Sequence, residues 1–153
     1  MTHVHAHDWH TGMLPVLIRQ WKYPVRSLFT IHNLAYQGNF PENMLVPCLG
    51  LPYTLYENGS VRFNDGISFM KAGIVHADIV TTVSPTYARE ILTEQYGEHL
   101  EWVLELRAHD LYGIVNGIDT VLWNPQTDEL QTRPFSIRSL GRRQETAAAS
   151  AGS

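Results

Sequence analysis

Two short, nearly unbroken apolar runs, Leu28-Phe29-Thr30-Ile31 and Ile79-Val80-Thr81-Thr82-Val83, constrain this chain more than any other feature. Runs of this length, rich in β-branched residues, suit strands covered on both faces, as in a parallel sheet. The first belongs to a strand read from Val25 to Ile31. Val4 with its flanking residues, and Gly113 to Val115, extend the pattern to four strands. Between them the apolar period becomes helical. Leu14, Leu17, Ile18 and Trp21 recur at i, i+3, i+4 and i+7, with Thr11 as the expected cap and Pro15 in the first turn. Phe69, Met70, Gly73, Ile74 and Ala77 form a second stripe. Ser84-Pro85 is a helix start signal, a capping hydroxyl followed by proline, and Tyr87, Ala88, Ile91 and Leu92 make the buried face behind it. An acidic amphipathic stretch from Glu98 to Arg107 offers Leu100, Val103, Leu104 and Leu106 to a core. Strands alternating with helices predict an α/β fold built on βαβ units.

Composition narrows the classes. At 153 residues and 44% apolar content the chain has the material for one real core. A net charge of −4 argues against a dedicated nucleic-acid binder. No apolar run approaches the roughly eighteen residues of a membrane span, and the start has no basic region followed by an apolar stretch. A single cysteine, Cys48, excludes an internal disulfide framework and suits a reducing compartment, so a cytoplasmic location is expected. Gly38 to Asn64 holds three prolines and three glycines and reads as a long excursion, with a short helix around Glu42 to Val46. Thr146 to Ser153 reads as a frayed end.

Ligands of open α/β sheets bind at the carboxyl ends of the strands. Each strand here runs into a polar or small cluster at that end: His5-Ala6-His7-Asp8-Trp9-His10, His32-Asn33-Leu34-Ala35-Tyr36-Gln37-Gly38, Ser84-Pro85-Thr86, and Asn116-Gly117-Ile118-Asp119. In a parallel sheet all four open on one edge. Several pieces have plain structural readings. Ser84-Pro85 is a cap, Trp123-Asn124-Pro125 is a packed turn with its indole in the core, and Lys71 is a solvated or helix-end charge, while Asn116-Gly117 suits a turn and a functional loop equally. The clusters with His and Asp resist such readings, and four of the eight histidines lie within the first ten residues. Alternating His5 and His7 point the same way on a strand, as metal-binding pairs do. The metallo-hydrolase pattern His-x-His-x-Asp-His is out of register here, because Asp8 directly follows His7. No metal site is expected.

Taken in order, five segments resemble bacterial glycogen synthases and plant starch synthases: His5 to Gly12, Thr30 to Gly38, Ile67 to Gly73, Thr82 to Ala88, and Gly113 to Asp119 with Trp123-Asn124-Pro125. The resemblance implies a Rossmann-like parallel sheet with flanking helices, forming part of the amino-terminal domain of a two-domain GT-B glycosyltransferase. It implies transfer of glucose from ADP-glucose to the non-reducing end of an α-1,4-glucan with retention, without a cofactor. By the same likeness Asp8 and His32 are the catalytic candidates beside the donor glucose. Trp9, Asn33, Tyr36 and Gln37 line the pocket, and Asn116 and Asp119 belong to a loop near the domain junction. Residues 1–133 match a partial catalytic domain on the acceptor side, and 134–153 match poorly. The family's Lys-x-Gly-Gly loop and its second domain have no counterpart in this sequence, so the chain is expected to be a fragment that is inactive alone and needs that second domain as its partner. A related retaining glycosyltransferase of the sucrose or phosphorylase type and a non-catalytic glucan-binding module are the alternatives.

Overall fold

The computed structural model describes residues 2–131 and 134–144, and the frayed end expected from Thr146 onward lies outside them. Two units are resolved, Met1–Asn116 and Gly117–Ser153.

In the first unit the chain runs β1 (His3–His7), α1 (Leu14–Gln20), β2 (Arg26–Ile31), β3 (Asn39–Pro41), α2 (Thr54–Glu57), β4 (Arg62–Phe63), β5 (Gly66–Ser68), α3 (Phe69–His76), β6 (Ile79–Thr82), α4 (Pro85–Glu90), α5 (Glu101–Leu106) and β7 (Leu111–Gly113). Strands β1, β2, β6 and β7 form one parallel sheet in that order, with His7 paired to Thr30, Thr30 to Thr81, and Thr81 to Tyr112. The α/β reading therefore holds, and the last strand lies two residues before the expected Gly113 to Val115.

Strand order follows chain order, so every crossover steps the same way. Right-handed crossovers that step the same way place their helices on one face. That face carries Ala6, Phe29, Ile31 and Val80, which pack with Met70 and Ile74 of α3 and Val103 and Leu104 of α5. The opposite face carries His3, His5, His7, Ile79 and Tyr112, all exposed. The expectation of strands covered on both faces is thus corrected for the described residues: Ile79 is 42% exposed.

The excursion is not a structureless loop. Its ends supply β3 and β4, which pair antiparallel with β5 on either side, and a short 3-10 turn occupies Glu42–Met44. A second core of Leu45, Leu51, Val61, Ile67, Met13, Val16 and Ala72 sits there.

Four local readings change. Thr11 does not cap α1. Its hydroxyl donates to the His7 carbonyl at 2.7 Å and accepts from the His7 N–H at 2.6 Å, closing the turn after β1. Leu106 is exposed, because α5 buries only Val103 and Leu104. Trp123, in the second unit, is exposed instead of packed. Lys71 is buried, not solvated: its Nζ donates to the Arg62 carbonyl at 2.7 Å and lies 4.6 Å from the Trp102 ring. By contrast Ser84 caps α4 as read, accepting from the Tyr87 N–H at 2.9 Å.

Two polar residues hold the amino ends of the strands. Asp78 accepts from Ser27 N–H at 2.7 Å and Ser27 Oγ at 3.0 Å, and pairs with Arg26 at 3.1 Å. Its partial burial opposes ionisation, but the Ser27 and Arg26 bonds outweigh it and lower the carboxyl pKa. Arg107 donates to the carbonyls of Ile74, Val75, Ala77 and Asp78, satisfying the end of α3. Among the described residues, no helix is long and apolar enough to cross a membrane.

In the second unit, the Asp119 carboxylate accepts from the N–H groups of Val121 and Leu122 at 2.9 and 3.0 Å. A capping box of Ser136 and Ser139 closes the 3-10 turn Ile137–Ser139.

Candidate functional site

The carboxyl ends of β1 and β2 meet at Asp8 and His32. Asp8 leaves β1 with φ 52° and ψ −176°, a backbone conformation that glycine tolerates and other residues resist. Three bonds hold it there. Its N–H donates to the Thr30 carbonyl at 2.9 Å, and its Oδ1 accepts from the backbone N–H of His32 at 2.8 Å and of Asn33 at 3.4 Å. The carboxylate therefore fastens one strand end to the next.

Along the open face of the sheet, three imidazoles form a row. The rings of His5 and His7 have centroids 4.0 Å apart, and Nδ1 of His7 lies 3.0 Å from Nε2 of His32. His5 Nε2 bonds Thr30 Oγ1 at 2.6 Å, and Thr30 Oγ1 bonds Thr81 Oγ1 at 2.6 Å. Burial, then the neighbouring His7 and His32, lower the pKa of His5, so it favours the neutral form. Neutral imidazole can donate at one nitrogen and accept at the other, so His7 and Thr30 orient the row through complementary hydrogen bonds.

The remaining predicted residues divide by what they touch. Asn33 is exposed beside Asp8 and uses its side-chain oxygen on the Ala35 N–H at 3.1 Å, a turn-forming bond. Tyr36 is exposed on the same turn, which is pinned where the Leu34 N–H donates to the Tyr87 hydroxyl at 3.1 Å. Gln37 is buried. Its Nε2 donates to the Glu98 carbonyl at 2.7 Å, and its backbone carbonyl accepts from Ser68 Oγ and the Met70 N–H. Trp9 is partly buried against the core, and its indole covers Gly38, whose φ of +59° and lack of a Cβ permit the approach. Asn116 is exposed at the end of the first unit, and Asp119 lies in the second.

The structure thus joins Asp8, His32 and Asn33 at one strand edge, with Tyr36 on the turn leading from them, and directs Gln37 and Trp9 into supporting contacts. His7, Thr30 and Tyr87 hold this group through hydrogen bonds, although none of them was among the candidate site residues read from the sequence. The signal for Thr30 was present as a polar residue inside an apolar run, matched at the same depth by Thr81. Among the described residues, no group of three or more His, Cys, Asp or Glu side chains is arranged to hold a metal ion.

An open parallel sheet with its polar groups gathered at the carboxyl edge is the arrangement of a Rossmann-like domain, a class whose ligands bind at that edge. The comparisons narrow that class. Residues 1–106 match the family model described as the starch synthase catalytic domain. The glycogen synthase of Clostridium kluyveri is 47% identical over 143 residues, covering 90% of this chain and 30% of the relative. That of Anaeromyxobacter sp. is 48% identical over 143 residues with the same coverage of both chains, 90% and 30%. The catalytic domain of starch synthase IV from Arabidopsis thaliana, solved bound to ADP and acarbose, superposes with a TM-score of 0.79 at 34% identity, covering 97% of this chain and 32% of that one. The chain belongs to the starch synthase catalytic domain family, and it spans about 30% of the length of the curated relatives it matches.

Proposed function

We propose that this chain forms the acceptor-side wall of a retaining glucosyltransferase that moves glucose from ADP-glucose to the non-reducing end of an α-1,4-glucan. The observation that carries the reading is the fixed pair at the strand edge, Asp8 Oδ1 held by the His32 N–H at 2.8 Å. Departure of a nucleoside diphosphate leaves positive charge on the sugar ring, and a carboxylate held by backbone donors stabilises such charge without reorganising. His32, oriented by His7, bonds the glucose hydroxyls, while Asn33 and the exposed Tyr36 meet donor or acceptor. Trp9 and Gln37 serve the pocket by holding the turn that presents these groups. Asn116 and Asp119 contribute from the segment that leads toward a second domain, which supplies the cradle for the diphosphate. Catalysis in this reading uses no metal or cofactor.

The relatives described as glycogen synthases, and the starch synthase IV domain solved with ADP and acarbose, support this assignment. Half a cleft positions half a reaction, so the chain by itself should transfer no glucose above background. Two measurements test the proposal together. Titrating the 15N-labelled chain with maltopentaose should shift resonances of His32 and Tyr36, and incubation with radiolabelled ADP-glucose and glycogen should leave the glucan unlabelled. Robust incorporation would overturn the division of the site, and maltopentaose that leaves both residues unmoved would overturn the acceptor-side role.

A further inference from the structure

A groove of about 720 Å³ lies between the loop around Asn58 to Asn64, α3 and α5, and its lining shares no residue with Asp8, His32, Asn33 and Tyr36. Its lining includes Arg62, Lys71, His99 and Trp102, together with Asn58 and Asn64, and it contains no aspartate or glutamate.

The two cations that matter here lack counter-charges. Lys71 is 4% exposed, yet its ammonium group makes one hydrogen bond, to the Arg62 carbonyl at 2.7 Å, and otherwise faces the Trp102 ring at 4.6 Å. Buried lysines are ordinarily paired with a carboxylate. Arg62 is exposed and lies 5.7 Å from the Tyr56 ring centroid. Among the described residues, neither Lys71 nor Arg62 forms an ion pair. Arg107, also on the lining, differs: its donors are taken by four backbone carbonyls and it pairs with Asp110 at 3.2 Å. Burial first, and then the Arg62 charge, hold the Lys71 pKa below its ordinary value, a shift that an anion beside the ammonium group would oppose. Half of the Trp102 residue stays open to solvent beside these charges, an apolar face for a ring to lie on.

We propose that this groove binds the phosphate monoester of a sugar, with the phosphate on Lys71 and Arg62, the pyranose ring against Trp102, and its hydroxyls on Asn58 and Asn64. The unpaired Lys71 and Arg62 call for an anion whatever group carries it. The choice of a sugar as its carrier rests on the glucosyl-transfer reading above. Bound there, the ligand ties the excursion to α3 and α5, on the helical side of the sheet.

The test follows the Trp102 indole N–H in 15N spectra of the 153-residue chain, with glucose 1-phosphate as probe because its anomer is fixed. The indole resonance should shift and saturate, while His32 and Tyr36 stay unmoved, and binding should weaken as salt is added. Arg62→Gln should lower the affinity about ten-fold and Trp102→Leu, followed by calorimetry, about five-fold. Both positions are exposed, so circular dichroism should report an unchanged fold. Inorganic phosphate should bind more weakly, and maltopentaose should leave the Trp102 signal in place. Four results would overturn the proposal: no shift at Trp102, an equal affinity for inorganic phosphate, an equal or higher affinity for AMP, or a Trp102 shift with maltopentaose. Shifts at His32 and Tyr36 with glucose 1-phosphate would place the anion at the strand edge and overturn it as well. Failure of the glucosyl-transfer reading shows separately, in maltopentaose that leaves His32 and Tyr36 unmoved.

Discussion

Asp8 combines a strained backbone with a side chain that ties two strand ends, and three substitutions separate the two effects. Asp8→Ala removes the charge-assisted bond to the His32 N–H at 2.8 Å and the long one to Asn33 at 3.4 Å. A hydrogen bond to a charged group contributes roughly 1.5–3 kcal/mol, and a half-buried site sits at the low end, so the loss is about 1.5 kcal/mol. The 3.4 Å contact adds little. Asp8→Gly loses the same bonds and gives the unfolded chain extra freedom worth about 0.5–1 kcal/mol. It also relieves the backbone at φ 52° and ψ −176°, which costs on the order of 1–3 kcal/mol for a residue with a Cβ. The glycine variant should therefore be more stable than the alanine variant by about 1 kcal/mol, the reverse of the usual order in a regular element. Asp8→Asn keeps an oxygen acceptor and forfeits only the charge, at a cost of about 0.5–1 kcal/mol. Urea titrations at pH 7, followed by far-ultraviolet circular dichroism with a common slope, give the ranking directly. Equal stabilities for the alanine and glycine variants would refute the strain. An asparagine variant as weak as alanine would refute the role of the side-chain oxygen as a strand tie.

Two further perturbations probe the core and the site floor. His76 is held down to about 4 from 6.5, first by burial and then by the charges of Arg19 and Arg107, and its Nε2 has no hydrogen-bond partner. The unfolded chain binds that proton more readily, so stability is full above pH 6.5, falls as pH drops toward 4, and levels off below it. The fall amounts to up to roughly 3 kcal/mol, and His76→Phe should flatten it in urea midpoints measured from pH 7 to 4. Gly38→Ala places a methyl 2.7 Å from Trp9 Cδ2 at a φ of +59°. Left-handed backbone and overpacking together should cost about 2 kcal/mol, and adding Trp9→Phe should recover part of it, read from the same midpoints.

The strands and helices were legible because their signals are local. Thr30 and Thr81 sit in short β-branched runs that suit a strand, and Ser84-Pro85 specifies a helix start within two residues. What escaped reading depended on partners distant in sequence. Lys71 looked like a helix-end charge because nothing local reveals that Arg62 and Trp102 enclose it. The excursion looked like a loop because its strands have two or three residues each, too short for a period, and exist only by pairing with Gly66–Ser68. The open face of the sheet was hidden for a different reason. Leu28 and Ile79 are as apolar as fully covered residues, and only the order of crossovers tells which face the helices take. At the site, residue types pointed correctly to the strand edge, but not to the division of labour. Gln37 and Asn33 are both polar residues of one segment, yet one is buried against the Glu98 carbonyl and the other stands beside Asp8.

That division bears on how a site of this kind achieves rigidity. Asp8 commits one oxygen to backbone donors, and among the described residues its Oδ2 has no protein hydrogen bond. His32 meets His7 through Nε2, and its Nδ1 has none either. Each group is thus anchored through one atom and presents another. The anchors are backbone amides and a neighbouring ring on the same sheet, so both groups are ordered by the fold itself. The backbone distortion at Asp8 fits the same logic. A relaxed residue at the end of β1 would continue the strand and carry its side chain along the sheet face. The turn at φ 52° brings the carboxylate across to the end of β2 instead, where charge and imidazole share one edge. Strain at one residue sets a carboxylate beside an imidazole at one strand edge, and its cost is borne in folding.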